Sequence, residues 1–309
     1  MAERGQPDSM RIFDRRIVRR RRDRAVFRFP EHDFLFREVA GRLADRLADI
    51  NRDFGRAVEL GAHGAILRDA LPPGGKIAWL AATDLSPAMA AGSPPAVAAD
   101  EELLPFAPAS LDLVISNLSL HWVNDLPGAL LQTRRALRPD GLFLAAMLGG
   151  DTLAELRRAL LEAEAAATGG AAPRVSPFAD LADAAALLQR AGFALPVADA
   201  DTIAVTYSDA FALMRDLRGM GEANAVAARP DRFTRRTVLF EAAARYAALY
   251  GDAAGRVPAT FQVLYLTGWA PHEAQQQPLR PGGAAARLAD ALGGEERPAG
   301  EKAGPLRRK

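Results

Sequence analysis

Apolar and polar positions recur with two different periods along the middle of the chain. Short continuous apolar runs occur in "RAVEL", "KIAWLAATD", "LDLVISN" and "LFLAAML", and such runs are typical of parallel strands covered on both faces. Between the last two lies "DLPGALLQTRRALRPDG", which predicts a helix with Leu126, Leu130 and Leu137 on one side, stopped by Pro139 and Gly141. This repeated strand–helix–strand pattern predicts a doubly wound α/β sheet.

The flanking segments add further elements. An amphipathic helix is predicted in "FLFREVAGRLADRLADI", whose apolar residues recur at helical spacing: Leu35, Val39, Leu43, Leu47 and Ile50. A later helix is predicted in "SPFADLADAAALLQRAGF", with Ser176 as its cap, Pro177 in its first position and Gly192 closing it. The alternating runs "DTIAVTY" and "TFQVLYLTGW" predict two late strands that pair antiparallel at the edge of the sheet.

These patterns divide the chain into three parts. Residues 1–32 form a basic amino-terminal arm, and residues 33–269 form the α/β domain, with a helical insert at about 208–257. Residues 270–309 are rich in Gly, Pro and charge, and they predict a disordered tail with at most one short helix near Ala285 to Leu292.

Composition narrows the class of protein. The 309 residues are 49% hydrophobic and carry a formal net charge of +1, which allows a large core and does not favour nucleic acid as a partner. The absence of cysteine excludes a thiolate nucleophile and a cysteine-ligated metal. No apolar run is long enough to span a bilayer, and no secretory signal is visible. Together with the strong Ala, Arg and Gly bias, this predicts a bacterial cytoplasmic protein.

Charge is concentrated in one place, the segment "MRIFDRRIVRRRRDRAV". It holds eight arginines and two aspartates between Arg11 and Arg24, a local charge of +6. Two interpretations remain open: a solvated basic helix, or a docking surface at Arg15 to Arg24 for an acidic partner.

Polar groups follow the predicted strands where those strands end. Glu59 and Gly61 close the first strand, Asp84 closes the second, Asp100 follows a weak third strand "AVAA", and Ser116 ends the fourth. Ligands of open parallel sheets bind beyond these carboxyl ends. A carboxylate such as that of Asp84 can accept hydrogen bonds from both hydroxyls of a ribose, so the pattern predicts a nucleotide-type cofactor.

The motifs that carry these residues resemble a known family. "VELGAHGA", "ATDLSPAMA" and "DEELLPFAPASLDLVISN" are similar in order and spacing to motifs of the class I S-adenosylmethionine (SAM) dependent methyltransferases over about ninety residues. The outer segments, among them "IFDRRIVRRRRDRA", "FALMRDLRGMGEANA" and "VPATFQVLYLTGW", resemble a branch with two known groups. These are the biotin-pathway malonyl-carrier-protein methyltransferases and the complex I assembly factors with a methyltransferase fold.

This resemblance implies a seven-stranded, Rossmann-like sheet with an antiparallel last strand, and SAM as the cofactor. It implies that Glu59 and Gly61 line the methionine end of SAM. Asp84 would take the ribose hydroxyls, and Leu85 would pack on the adenine.

The same resemblance assigns residues further along the chain. Asp100 would reach the adenine amino group, helped by the backbone of Glu101, and Ser116 would approach the cofactor from the fourth strand. His121 and Trp122 would face the substrate and are the candidates for catalytic residues. No metal site is predicted, since the four histidines are scattered and form no pair with an acid at ligand spacing.

The sequence departs from the family in its glycine loop. Where the family has G-x-G-x-G, the second glycine is His63 and the third is Ala65. A Cβ is unfavourable where φ is positive, although histidine tolerates that region better than most residues. SAM has no pyrophosphate to cradle, so the altered loop is still expected to bind it. The polar string "GMGEAN", Gly219 to Asn224, is a further candidate for facing the substrate.

Several functions fit these features. The leading hypothesis is a SAM-dependent methyltransferase-like protein that acts on a protein substrate in respiratory complex I assembly. An arginine hydroxylase of a complex I subunit is an alternative that the resemblance implies, and it requires an oxidant and electrons that side chains do not provide. A malonyl-carrier-protein O-methyltransferase and a non-catalytic assembly module also remain open.

Overall fold

A computed structural model describes residues 11–230, 232–276 and 293. Within them, seven strands form one sheet: β1 (Ala57–Leu60), β2 (Leu80–Asp84), β3 (Ala96–Ala98), β4 (Leu111–Asn117), β5 (Leu137–Leu148), β6 (Ala194–Tyr207) and β7 (Val257–Trp269). Their order is β3-β2-β1-β4-β5-β7-β6. The first five strands pair in parallel, and β7 runs antiparallel to both β5 and β6. The predicted fold class is confirmed.

Helices cover both faces of this sheet. They are α1 (Arg15–Ala25), α2 (Phe34–Ala48), α3 (Ile66–Ala70), α4 (Pro87–Ala90), α5 (Leu126–Ala136), α6 (Ala154–Thr168), α7 (Leu181–Arg190), α8 (Ala210–Gly219) and α9 (Arg236–Tyr250). Successive strand residues point to opposite faces: Leu113 and Ile115 of β4 pack in the core with α2, α6 and α9, while Val114 packs with α5 and α7. Burial on both faces explains the continuous apolar runs in the sequence.

Strand order reverses beside β1, whose two neighbours are β2 on one side and β4 on the other. The connections after β1 and after β4 leave the sheet on opposite faces, and this is the point at which a doubly wound sheet has its ligand crevice. Glu59, Asp84 and Ser116 all lie at that edge of the sheet, near the ends of their strands.

Two predicted element boundaries are wrong. Leu137 does not belong to α5; it pairs with Leu111 as the first residue of β5, and Pro139 and Gly141 lie inside that strand. The helix already ends at Ala136, because strand pairing begins at the next residue.

The helix predicted from Ser176 starts later, at Leu181. Asp180 is its cap, accepting the Asp183 N–H at 2.8 Å, whereas Ser176 is buried before the helix. An aspartate carboxylate next to the first turn satisfies an orphan amide, so it sets the start. Gly192 follows the helix with a φ of +79°, as its predicted closing role requires.

The structure also bears on the predicted helical insert and on the predicted carboxy-terminal tail. α8 and α9 lie between β6 and β7, inside the predicted insert at about 208–257. The chain divides after His272, and every element named above belongs to the first unit. The predicted helix near Ala285 to Leu292 lies outside the described residues. No helix in the described part of the chain is both long and apolar enough to cross a membrane.

Candidate functional site

Glu59 lies near the carboxyl end of β1, at the edge of the sheet where the cofactor was predicted to bind. Its side chain is fully buried, and neither carboxylate oxygen has a hydrogen-bond partner in the structure. Burial raises the pKa of this carboxyl group well above its usual value. A buried carboxylate is costly unless a cation accompanies it, and the raised pKa reflects the absence of such a partner.

Asp84, at the end of β2, is also buried but has several partners. Its Oδ1 accepts the Ser86 N–H at 2.7 Å, and its Oδ2 accepts the His63 N–H at 3.3 Å. Arg22 donates to Oδ1 at 3.3 Å. Burial raises the pKa of Asp84, and Arg22 opposes that shift.

Arg22, from α1, is the cation at the centre of this cluster. Its guanidinium is fully buried and donates through Nη1 to Asp84 and to Glu101, each at 3.3 Å. Through Nη2 it donates to the Ser119 hydroxyl at 2.9 Å. One arginine therefore joins the carboxyl end of β2 to the segment after β3 and the turn after β4.

Arg15, seven residues earlier, makes a second set of bridges. Its Nη2 donates to Asp100 at 2.6 Å and also contacts Glu101, and its Nη1 donates to the Trp122 carbonyl at 3.1 Å. Burial raises the pKa of Glu101, but the charges of Arg15 and Arg22 outweigh burial and lower this pKa to about 2. The carboxylates expected at the ribose and adenine thus already hold two guanidinium groups.

The expectation of a solvated basic helix is accordingly wrong for these two arginines. α1 turns one face, with Arg15, Val18, Arg22 and Ala25, towards the domain. Phe13 and Val18 pack in a small cluster with Trp122. The remaining arginines of the segment, the half-buried Arg21 among them, are left for contact with a partner.

The altered glycine loop is accommodated in different ways at its two changed positions. His63 has a φ of +46° and is buried, with its ring against Phe29 and Phe36 and its Nε2 3.2 Å from the Leu118 carbonyl oxygen. Burial and the nearby Arg22 lower the pKa of His63 to about 3, so its ring is neutral and packs as an apolar group. Ala65 has a φ of −100°, a conformation that does not require glycine.

Two predicted cofactor residues have roles of their own in the structure. The Ser116 hydroxyl donates to the Leu60 carbonyl at 2.8 Å, which ties β4 to β1 at their ends. Leu85 is partly buried against the cluster that contains Phe13, Val18 and Trp122. Its contact with an adenine stays a prediction.

His121 and Trp122 converge on one carboxylate that comes from the helical insert. Glu222 Oε2 lies 2.9 Å from His121 Nε2 and 2.8 Å from Trp122 Nε1, and Glu222 Oε1 is buried without a partner. The indole can only donate. The Leu148 N–H reaches His121 Nδ1 at 3.5 Å, so the ring proton belongs on Nε2.

Glu222 is the residue of this site that the sequence did not single out, although it lies in the polar string Gly219 to Asn224. Burial raises its pKa, but the contact with His121 and the charge of Arg22 outweigh burial and lower it. Glu222 is therefore ionised, and it lines a cavity of about 450 Å³ formed with α6, α8 and α9. The described residues contain no group of three or more side chains that could hold a metal ion.

Replacing Glu59 by Gln gives a test of this electrostatic description. A carboxyl group whose pKa rises on folding contributes stability below its unfolded pKa and loses it as the pH increases through the folded value. The unfolded value is near 4.5. We therefore expect the unliganded wild-type protein to become less stable relative to Glu59→Gln as the pH rises above that value, in denaturant titrations of both proteins. Parallel stability profiles for the two proteins would contradict the unpaired state of Glu59.

Known proteins with a similar sequence or structure have this fold. Residues 58–145 match the family described as a methyltransferase domain. The YcgJ protein from Bacillus subtilis has a similar structure, with a TM-score of 0.53 over 75% of this chain and 98% of that protein. Their sequences are 14% identical, so this likeness concerns the fold alone.

Sequence relatives cover almost the whole chain. Arginine-hydroxylase NDUFAF5 of Danio rerio is 43% identical over 91% of this chain and 89% of that protein. The human protein of the same name is 44% identical over 90% and 82%. A malonyl-[acyl-carrier protein] O-methyltransferase of Halorhodospira halophila is 36% identical over 85% and 90%. The NDUFAF5 relatives are mitochondrial by name, and the bacterial cytoplasmic location stays a prediction.

Proposed function

This chain belongs to the class I methyltransferase-fold family that includes arginine-hydroxylase NDUFAF5, and from that premise we propose that it modifies an arginine of a protein partner. We place this activity in the assembly of respiratory complex I, with SAM as the cofactor. The observation that carries the choice of arginine is the buried Glu222 carboxylate, whose Oε1 has no partner.

The crevice suits SAM at two points. The ammonium group of its methionine part is the kind of cation that the unpartnered Glu59 carboxylate requires. Each carboxylate oxygen can accept two hydrogen bonds, so Asp84 Oδ2, which accepts only the His63 N–H, keeps capacity for a ribose hydroxyl. When bound, SAM supplies an electrophilic methyl group.

The substrate side suits a guanidinium group. His121 and Trp122 both donate to Glu222 Oε2 and fix the orientation of the carboxylate. Oε1 is then free to accept an N–H from a substrate arginine. Charge-assisted hydrogen bonds of this kind are short and strong, and leucines of α6 and α8 line the cavity beside Glu222.

Positioning is the main contribution that these residues make to a reaction. A substrate held on an oriented carboxylate next to the cofactor crevice reacts as if at a very high local concentration. For transfer to a guanidinium nitrogen, Glu222 would also accept the proton that this nitrogen loses. Hydroxylation at a carbon of the same side chain would instead need molecular oxygen and two electrons from outside the chain.

Mass spectrometry of complex I subunits tests the proposal. We expect one arginine-containing peptide to be heavier in cells with the gene than in cells without it, by one CH₂ group or by one oxygen atom. The difference decides between methyl transfer and hydroxylation. No mass difference on any arginine would contradict the proposed activity.

Glu222→Gln separates the substrate role from the cofactor role. Because two donors face Oε2, the amide oxygen of Gln takes that place and its NH₂ group takes the place of Oε1, where it cannot accept from a guanidinium. We expect the arginine modification to fall by at least about tenfold while SAM binding by calorimetry stays close to wild type. Glu241→Gln, on the exposed side of α9, is the matched control and should keep full modification.

A further inference from the structure

The cavity beside Glu222 has an apolar floor and a cationic rim. Its floor consists of leucine and valine side chains from α6, α8, α9 and the adjoining loops: Leu153, Leu156, Leu160, Val175, Leu217 and Leu239. Five arginines also line it: Arg21, Arg174, Arg218, Arg229 and Arg232. Glu222 is the one acidic residue among the described lining residues, so positive charge exceeds negative charge at this cavity.

Some of these arginines are already neutralised by neighbours. Arg174 pairs with Glu164 and donates to the Thr234 hydroxyl at 2.7 Å. Arg229 lies 3.7 Å from a carboxylate oxygen of Asp14. These two arginines are therefore paired with acidic groups of the protein.

Arg21 is different, because it combines the lack of a paired acid with a buried guanidinium nitrogen that has no partner. Its Nη1 is buried and has no hydrogen-bond partner, and no carboxylate of the described residues lies within ion-pair distance. Burial, and then the charge of Arg229, lower the pKa of Arg21 to about 10, which still leaves it charged at neutral pH. A buried guanidinium nitrogen without a partner is costly unless another group completes it, and the side chain that carries it lines this cavity.

We propose that this cavity binds a carboxylate on Arg21, and that the carboxylate belongs to an acidic side chain near the target arginine of the protein substrate. The site itself follows from the lining residues alone; its assignment to the substrate rests on the proposed function. Glu222 would bind the guanidinium group of the target arginine, and Arg21 would bind the carboxylate of the acidic side chain. The cavity would therefore recognise two opposite charges on one segment of the substrate. The leucine floor accommodates the methylene groups between them.

Calorimetry with a small carboxylate tests the site without reference to any reaction. Hexanoate has a carboxylate and an apolar chain, and hexanamide has the same length without the charge. We expect the wild-type protein to bind hexanoate, to bind hexanamide far more weakly, and to lose about tenfold or more in hexanoate affinity on Arg21→Met.

Arg19→Met, an exposed arginine of the same helix, is the matched control and should leave hexanoate binding unchanged. Loss of hexanoate binding in Arg19→Met to the same extent would show a general charge effect and overturn the proposal. So would no hexanoate binding to the wild-type protein at millimolar concentration. Because Arg21→Met removes an unpaired buried charge and keeps a side chain of similar length, we expect its thermal midpoint to be equal to or above that of the wild-type protein.

Two synthetic peptides decide the source of the carboxylate. Each contains an arginine, with a glutamate at one nearby position in the first peptide and a glutamine there in the second. The wild-type protein should bind the glutamate peptide more tightly, and Arg21→Met should bind both equally. Equal affinities in the wild-type protein would overturn the assignment to a protein substrate. Neither binding assay requires modification of the peptide, so failure of the proposed reaction would be seen separately, in the masses of the complex I subunits.

Discussion

Replacing Arg22 by Met is expected to lower the free energy of unfolding by about 3 to 5 kcal/mol, the usual cost of removing one partner from a buried ion pair. The substitution would leave Asp84 and Glu101 fully buried without the guanidinium that joins them. Denaturant titration measures the change, and Arg20→Met, on the exposed face of the same helix, is expected to alter stability by less than about 0.5 kcal/mol. Equal losses in the two variants would contradict the central position of Arg22.

The ion pair between Arg22 and Glu101 also predicts how the stability of the protein changes in acid. The pKa of Glu101 is lowered to about 2 from a usual value of 4.5. A carboxylate with a depressed pKa contributes stability that is complete above the unfolded pKa and disappears as the pH falls towards the folded value. The difference in stability between wild type and Arg22→Met should therefore shrink over that acidic interval. Adding Asp84→Asn to Arg22→Met should restore part of the lost stability, since Arg22 is the ion-pair partner of Asp84, whereas Glu101 keeps its contact with Arg15.

Gly61→Ala is the second substitution with a large expected effect. Gly61 has a φ of +73°, and a Cβ there would lie 2.1 Å from both Cβ and Oγ of Ser119. Ser119 cannot move easily, because its hydroxyl accepts from Arg22 and donates to Glu101. We expect a loss of about 1 to 3 kcal/mol from overpacking, in addition to the conformational cost, and weaker SAM binding because the loop at the end of β1 must shift.

Gly64→Ala separates those two contributions. Gly64 also has a positive φ, +81°, but no atom lies within 4 Å of a Cβ placed there. Its substitution should therefore cost only the left-handed conformation, about 1 to 2 kcal/mol, and should leave SAM affinity close to wild type. Equal effects of the two substitutions on stability and SAM binding would contradict a close contact between Gly61 and Ser119.

The sheet could be predicted from the sequence because its signals are local. Strands buried on both faces appear as continuous apolar runs, and the carboxylates Glu59 and Asp84 follow directly after two of them. The boundaries of helices and strands are harder to predict where two patterns overlap. Leu137, for example, has the spacing of a helix residue but pairs as a strand residue.

The role of the basic arm could not be predicted from its charge alone. A run of arginines is ordinarily solvated, and nothing nearby in the sequence shows that Asp84 and Glu101 lie opposite Arg22 in the fold. One signal was present: Arg15 and Arg22 are seven residues apart, on the same helix face as Val18 and Ala25. Arginines that share the apolar stripe of a helix are candidates for buried ion pairs.

The role of Glu222 could not be predicted from the sequence for a different reason. It meets His121 and Trp122 about one hundred residues away along the chain, and its helical insert has no sequence pattern that fixes its position over the crevice. Only the three-dimensional arrangement shows that the polar string from Gly219 to Asn224 supplies a carboxylate to that pair.

The insert that carries Glu222 leaves and re-enters the sheet at neighbouring positions. Tyr207, the last residue of β6, pairs directly with Val257, the first residue of β7. Insertions or deletions between these two residues therefore leave the register of the two strands unchanged. In this layout the insert that carries Glu222 can change while the pairing of the sheet is kept. One scaffold can therefore acquire new protein or small-molecule targets by exchange of a single segment.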